Sequence, residues 1–348
     1  MQPNLLPTSR LDRGAAPRRR RAATIGFAIL ASGALLVAAM PVASAHNNAH
    51  PYKPAFGTNV WGIKDMKARG VTPAYALIWA THKDAESGFE HVKKQLRMAR
   101  DAGVTPVIQW YYWGDSISVN CIKYGCHGKA KWKWDKYAYS LAYHVKSVMG
   151  SRLAIVVLET EFNKNGVQYY EPMDGYLKKQ SWIFRNKGIQ TVLGFGNWGQ
   201  NHWWRFDQAI ASVTYLGVQE ISSAYRDSTW TMGQSAEKVY KSGKYLHDKY
   251  GKRVLVTDFA ISTWKGKEWV QTQEIKDIVW NKEKYSKAGI VGIIYRWVKD
   301  NPHQSWGHHG YAEKYWGMKR FDGSSKPGFN QWVWGTKGTP SAWRAYQG

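Results

Sequence analysis

The 348-residue chain is long enough for one large domain or two small ones, and its apolar fraction of 44% is ordinary for a globular protein. Its formal net charge of +24 and its 20 tryptophans and 21 tyrosines are unusual, and a field of this sign attracts acidic polysaccharide, nucleic acid or anionic cell-wall material. The two cysteines with the adjacent His127 match no zinc-binding pattern, so neither a metal site nor a cofactor is predicted.

Residues 1–45 predict a secretory signal peptide. Four arginines at 18–21 precede an apolar run at 25–39, and Ala43-Ser44-Ala45 has the pattern of a cleavage site. The apolar run is short for a membrane span, so we expect cleavage after Ala45, secretion and no stable membrane insertion, with an uncleaved anchor as the alternative. Cleavage would leave 43 basic and 24 acidic residues, a net charge of +19. This charge fits an anionic partner or a solvated lysine-rich surface.

Residues 46–55 are polar and predict a flexible segment, and residues 56–348 predict a single domain in which strands and helices alternate. The predicted strands are 56–61, 74–80, 105–111, 153–158, 190–197, 214–220, 253–259 and 289–297. The predicted helices are 87–102, 136–149, 173–187, 204–212, 233–250 and 268–287. This order is typical of an α/β protein with a (β/α)8 TIM barrel. A doubly wound open sheet is the alternative, but the glycine-rich first turn of that fold is missing.

The long loop after the third predicted strand contains Cys121 and Cys126. In an exported protein such a pair predicts a disulfide. Because the loop follows the third strand, we expect it to border the cleft at the carboxyl ends of the strands.

The fourth predicted strand runs directly into Glu159 and Glu161. Strict alternation would place both carboxylates on the face of Ile155 and Val157, at the end of the barrel where such folds carry their chemistry. The alternative is that one glutamate forms a structural ion pair and the other lies in a loop.

Other strand ends supply more carboxylates and many aromatic side chains. Glu220 and Asp258 end the sixth and seventh strands, and Arg296 follows the eighth. The predicted substrate-binding residues are Trp61, Trp79, Trp110, Tyr112, Trp113, Asn197, Trp198 and Trp297. Aromatic walls around a few carboxylates suit glycoside hydrolysis, which needs one group as acid and one as nucleophile or base. For any single tryptophan, a place in the core is the alternative.

Four segments, at 106–114, 160–163, 254–258 and 321–327, resemble those of clan A glycoside hydrolases, most closely the family 26 type that includes β-mannanases. The resemblance extends over residues 56–334. It implies that Glu161 is the general acid/base, that Asp258 stands at the nucleophile position, and that Trp297 lies beside the scissile bond. The chain departs from the family at Thr160, which replaces His or Asn, and at Asp258, which replaces Glu.

The sequence therefore predicts a secreted, monomeric and endo-acting glycoside hydrolase whose substrate is a polysaccharide, with an anionic one favoured by the charge. No nucleic-acid partner is expected. Glu159 is expected to be structural, paired with Arg296, and Asp258 to serve as nucleophile or base, with Glu220 as an alternative partner of Glu161. The competing hypothesis is a non-catalytic barrel that binds polysaccharide or cell wall.

Overall fold

A computed structural model describes residues 53–304 and 307–342, which contain a closed barrel of eight parallel strands in sequential order. The strands are β1 (Ala55–Asn59), β2 (Tyr75–Thr81), β3 (Thr105–Tyr111), β4 (Ile155–Leu158), β5 (Gln190–Gly196), β6 (Tyr215–Ser222), β7 (Val254–Ile261) and β8 (Ile290–Tyr295). Parallel pairing of β1 with β8 closes the barrel. The predicted fold class is confirmed.

Helices connect the strands, as this fold requires. They are α1 (Ile63–Lys67), α2 (His82–Glu86), α3 (Glu90–Ala102), α4 (Val119–Tyr124), α5 (Lys131–Met149), α6 (Pro172–Arg185), α7 (Asp207–Ser212), α8 (Thr229–Met232), α9 (Ser235–Tyr250), α10 (Glu268–Trp280), α11 (Lys282–Lys287) and α12 (Pro327–Thr336). The helix expected over 268–287 is divided at Asn281, and the first part of the one expected over 204–212 belongs to a 3₁₀ helix, Gln200–Phe206.

Two apolar layers follow from the alternation of side chains along each strand. Leu77, Val107 and Ile155 belong to the cluster that fills the barrel. Their neighbours Ile108 and Val156 belong to the larger cluster between the strands and the helices. The carboxyl ends of all eight strands meet at one end of this barrel, which we call the mouth.

The predicted signal peptide and most of the predicted flexible segment lie outside the described residues. Within the described part of the chain, no helix has the length and apolar character needed to cross a bilayer.

Gly292 on β8 marks a place where the barrel interior has no room for a side chain. A Cβ at this position would lie 2.5 Å from Tyr75 Cε2 and 2.7 Å from Leu255 Cδ1. We expect Gly292→Ala to lower the free energy of unfolding by about 1–3 kcal/mol, because overpacking displaces well-packed neighbours. Chemical denaturation measures this change.

Gly175→Ala provides the matched control. Gly175 is exposed on α6, and a Cβ there would meet nothing within 4 Å. Removing a glycine from an exposed helix should stabilise the protein by about 0.5–1 kcal/mol. Equal effects of the two substitutions would contradict the packing described for β8.

Candidate active site

The end of β4 departs from regular strand geometry. Glu159 and Glu161 have φ values of 41° and 58°, in the left-handed region that few residues other than glycine adopt. Such conformations are strained and are found preferentially at functional sites. The two turns interrupt the alternation, so the side chains of Glu159 and Glu161 make separate sets of contacts, in contrast to the predicted shared face.

Glu159 is buried and binds the backbone that follows β3. Its Oε1 accepts hydrogen bonds from the N–H groups of Trp113 at 2.9 Å and Gly114 at 3.1 Å, and its Oε2 accepts one from Tyr112 at 3.1 Å. Burial raises the pKa of Glu159 to about 8, while the Gly114 and Trp113 N–H groups favour the ionised form. This arrangement suits the predicted structural role, but the partners are backbone amides and not Arg296.

Glu161 lies at the mouth with its side chain 20% exposed. Its Oε1 accepts a hydrogen bond from Gln219 Nε2 on β6, and its Oε2 lies 2.9 Å from Lys164 Nζ. The Tyr111 hydroxyl on β3 approaches Oε2 at 3.4 Å. Lys164 also donates to the Tyr111 hydroxyl at 2.8 Å and to Asp115 at 2.9 Å, which ties Glu161 to the loop after β3.

Asp258 faces inward because β7 contains a bulge. Val254 and Val256 pack in the outer layer and Leu255 in the inner one. The β6–β7 register then shifts, so that Val218 is opposite Val256 but Gln219 is opposite Asp258. An extra residue of this kind redirects the side chains that follow it. The inward direction was expected, but Val254 and Val256 do not share it, and the bulge replaces simple alternation as its cause.

Arg296 binds both carboxylate oxygens of Asp258. Its Nε donates to Oδ1 at 3.0 Å and to Oδ2 at 2.9 Å, and its Nη2 to Oδ2 at 2.5 Å. Asp258 is fully buried; burial raises its pKa, Arg296 opposes the rise, and the negative charge of Glu161 adds to it. The Arg296 guanidinium also lies 5.4 Å from the centre of the Trp79 ring.

Glu220 and Asn197 face α9 instead of the mouth. Glu220 Oε2 accepts a hydrogen bond from Asn197 Nδ2 at 2.5 Å, and its Oε1 lies 3.5 Å from Lys238 Nζ on α9. The Asn197 side chain in turn accepts a hydrogen bond from Ser242 on the same helix. Along β6 Glu220 points outward, as Val218 does, and Asn197 binds it there, so the structure does not bring these two side chains to the mouth.

The predicted aromatic residues divide into core and mouth. Trp110, Tyr112 and Trp113 are fully buried, so in this structure they present no face to a sugar. Trp79 is partly exposed beside Arg296, and Trp198 is 42% exposed with its ring over Gly196 at the end of β5. These two remain candidates for sugar stacking.

The structure gives no specific role to the other two predicted tryptophans. Trp61 is exposed near His91 of α3, with ring centres 6.2 Å apart. Trp297 is partly exposed directly after Arg296. Their binding roles stay predictions.

Cys121 and Cys126 form the predicted disulfide, with their Cα atoms 5.0 Å apart. The bond joins α4 to the residues just after it, in the segment that connects β3 to α5. The same segment carries Asp115, which contacts Lys164, and Asn165 donates a hydrogen bond to Ile117 O at 2.8 Å.

Tyr111, Lys164 and Gln219 contact Glu161 but were not among the predicted site residues. Two of them carry a signal in the sequence. Tyr111 shares the parity of Val107, which points into the barrel, whereas Trp110 and Tyr112 have the opposite parity. Lys164 lies three residues after Glu161, within reach of it in a tight turn. Gln219 depends on the register of β6 and has no comparable local signal.

Among residues 53–304 and 307–342, no three histidine, cysteine or acidic side chains come together in a way that could hold a metal ion. The polar chemistry described at the mouth consists of carboxylates, cations, amides and hydroxyls.

The barrel is similar to solved glycoside hydrolases. An exo-β-1,4-mannosidase from Opitutaceae bacterium strain TAV5 aligns at 13% identity and a TM-score of 0.61, over 84% of this chain and 60% of the mannosidase. A family 26 β-mannanase from Bacteroides ovatus aligns at 11% identity and a TM-score of 0.60, over 84% of this chain and 90% of that one. The catalytic domain of a family 26 endo-β-1,4-mannanase from Bacillus sp. JAMB-750 aligns at 12% identity and a TM-score of 0.59, over 86% of this chain and 92% of that one.

At these identities the likeness is one of fold, and at that level the predicted resemblance to clan A barrels is confirmed. The chain spans only three fifths of the mannosidase. No family model matches the sequence, and no curated protein matches it.

Truncating Glu159 should destabilise the protein more than truncating Glu161. Glu159→Ala leaves three N–H groups after β3 without their acceptor, and each buried unpaired group costs about 1–3 kcal/mol. Glu161→Ala should have a smaller effect, because Lys164 keeps Asp115 and Tyr111 as partners. Chemical denaturation of both variants makes the comparison, and equal losses would contradict the structural role of Glu159.

Substitutions of a buried tryptophan and of an exposed one should differ in their effects on stability and on polysaccharide binding. Trp110→Ala removes a fully buried ring and should cost about 3–5 kcal/mol of unfolding free energy. Trp198→Ala should cost less stability than Trp110→Ala, because Trp198 is 42% exposed and its Nε1 makes one hydrogen bond, to Asn163 O. It should lower polysaccharide binding, because the exposed part of the ring lies at the mouth. Denaturation and binding assays on the same preparations test this, and the reverse pattern would reject the assignment.

Proposed function

We propose that this protein is a glycoside hydrolase in which Glu161 is the general acid/base and Asp258 is its ionised partner. One observation carries the proposal: Gln219 lies opposite Asp258 in the strand register and its side chain donates to Glu161, so the two carboxylates have a common neighbour at the mouth. Glycoside hydrolysis requires such a pair. Their positions, just after β4 and in the carboxyl-terminal half of β7, agree with those implied by the clan A resemblance.

The surroundings support different roles for the two groups. Arg296 binds both oxygens of Asp258 and favours the negative form that a nucleophile must have. Glu161 is partly exposed, so it can reach a leaving oxygen. In the free enzyme Lys164 and Gln219 orient the carboxylate of Glu161.

The substrate class follows from charge and aromatic side chains. Trp79 and Trp198 supply faces at the mouth for stacking on sugars. The basic surface suits an acidic polysaccharide. We propose that the enzyme is exported through the signal sequence at residues 1–45, acts outside the cell, and cleaves within the polymer.

A non-catalytic polysaccharide-binding barrel is the second candidate. It is favoured by the full burial of Asp258 and by the cation beside each mouth carboxylate, Arg296 for Asp258 and Lys164 for Glu161. A binder needs no accessible nucleophile. The two candidates differ in whether any glycosidic bond is broken.

Reducing-end release decides between them. The chain from residue 46 onward is incubated with neutral and acidic polysaccharides, alongside Glu161→Gln, Asp258→Asn and Glu220→Gln. We expect release from at least one polymer, and a loss of at least about 100-fold in Glu161→Gln and Asp258→Asn, the scale of one general acid/base group. Glu220→Gln should retain turnover, because Glu220 faces α9.

Other outcomes would contradict the proposal. Binding without release from any polymer would favour the second candidate. Release that persists in Glu161→Gln would remove Glu161 from the chemistry, and a loss confined to Glu220→Gln would make Glu220 the partner.

A further inference from the structure

A second concave site lies at the end of the barrel opposite the mouth. It has a volume of about 570 Å3, within the usual range for ligand pockets. Its main lining residues are Lys53, Trp280, Lys282, Lys284, Trp334 and Lys337. Lys53 precedes β1, α11 leads into β8, and α12 ends beside them, so the pocket lies at the amino ends of the strands.

The charge of this pocket is concentrated and largely unpaired. Four lysines line it against one carboxylate, Glu283. Lys284 has a partner in Glu237 at 2.8 Å. Within the described residues, no salt bridge joins Lys53, Lys282 or Lys337 to a carboxylate. Gathering like charges disfavours the folded state, and a bound anion would relieve that repulsion.

Lys282 is the lysine of this pocket that burial affects most. Its ammonium is half-buried and donates to the carbonyl of Gly335. Burial, with Lys53 nearby, lowers the pKa of Lys282 to about 8. An anion held between Lys53 and Lys282 would favour the charged form of Lys282.

Two tryptophan faces lie next to these cations. Trp280 and Trp334 are 63% and 54% exposed, with ring centres 5.9 Å apart and planes at 49°. The ammonium of Lys282 lies 5.6 Å from the centre of the Trp334 ring. Large exposed aromatic surfaces at a concavity are typical of binding sites. Here they provide stacking surfaces within reach of positive charge.

We propose that this pocket binds an anionic sugar unit of a polysaccharide, separately from the mouth. A pyranose ring stacks on Trp334 or Trp280, and Lys53, Lys282 and Lys337 bind its carboxylate, sulfate or phosphate group. The volume suits about one or two sugar units. This favours a glycan over a nucleic acid, which proteins bind along extended grooves. The inference does not depend on catalysis at the mouth.

Binding is measured by calorimetry in the Glu161→Gln background, so that hydrolysis at the mouth does not consume the ligand. The probes are a galacturonic acid hexamer, the same hexamer with its carboxyl groups methyl-esterified, a heparin-derived hexasaccharide, and a glycerol-phosphate oligomer of similar charge. Comparison of the hexamer with its methyl ester tests whether binding requires charge. The heparin and glycerol-phosphate oligomers test which anionic group the pocket binds. A single-stranded DNA hexamer tests the nucleic-acid alternative.

The variants are Trp334→Ala and the double charge reversal Lys53→Glu/Lys337→Glu, all at exposed positions. Each should weaken binding of at least one anionic glycan by at least about tenfold, or about 1.4 kcal/mol. The matched controls are Trp132→Ala and Lys94→Glu/Lys136→Glu, which alter an exposed tryptophan and two exposed lysines elsewhere. They should change affinity by less than about twofold, on the same free-energy scale.

Several outcomes of these measurements would overturn the proposal. These are no binding of any anionic glycan, equal binding of the esterified hexamer, equal losses in the control variants, and tighter binding of the DNA hexamer that Trp334→Ala abolishes. A loss in Trp198→Ala alone would also overturn it, because binding would then belong to the mouth. Failure of the hydrolysis assay leaves each of these results unchanged, so the two proposals fail separately.

Discussion

The buried ion pair between Arg296 and Asp258 is the interaction on which the mouth depends. Removing a carboxylate from water costs several kcal/mol, which only a partner with good geometry offsets. Arg296 donates into both oxygens of Asp258, and its guanidinium also lies against the ring of Trp79. The pair forms because the bulge in β7 directs Asp258 inward. It connects β7 and the end of β8 with β2 across the barrel.

The other polar contacts extend from this pair around the barrel. Gln219 lies opposite Asp258 and binds Glu161, so β6 connects the two carboxylates. Beneath them, Gln109 accepts a hydrogen bond from Thr160 and donates one to Thr257 O at 3.0 Å. Thr160 is thus buried below the mouth. Such supporting contacts hold catalytic groups in fixed positions.

The sequence was sufficient to predict the fold and to assign Glu161 and Asp258 to the fourth and seventh strands. Both depend on the order of periodic apolar runs, which can be read directly from the sequence. Directions of side chains near the mouth were less predictable. Alternation assumes an unbroken strand, and the left-handed residues Glu159 and Glu161 and the bulge in β7 break it. Trp110 and Glu220 illustrate a different limit, since proximity to a strand end does not reveal which face a residue occupies.

The configuration of the first product tests the account most directly. Retaining enzymes place their two carboxyl groups about 5–5.5 Å apart, and inverting enzymes about 6.5–9.5 Å. Because Asp258 points inward and shares Gln219 as a neighbour with Glu161, we assign direct attack to Asp258. Proton NMR of a hydrolysed substrate should therefore show the anomer of the original linkage first. An inverted first product would contradict the nucleophilic role of Asp258.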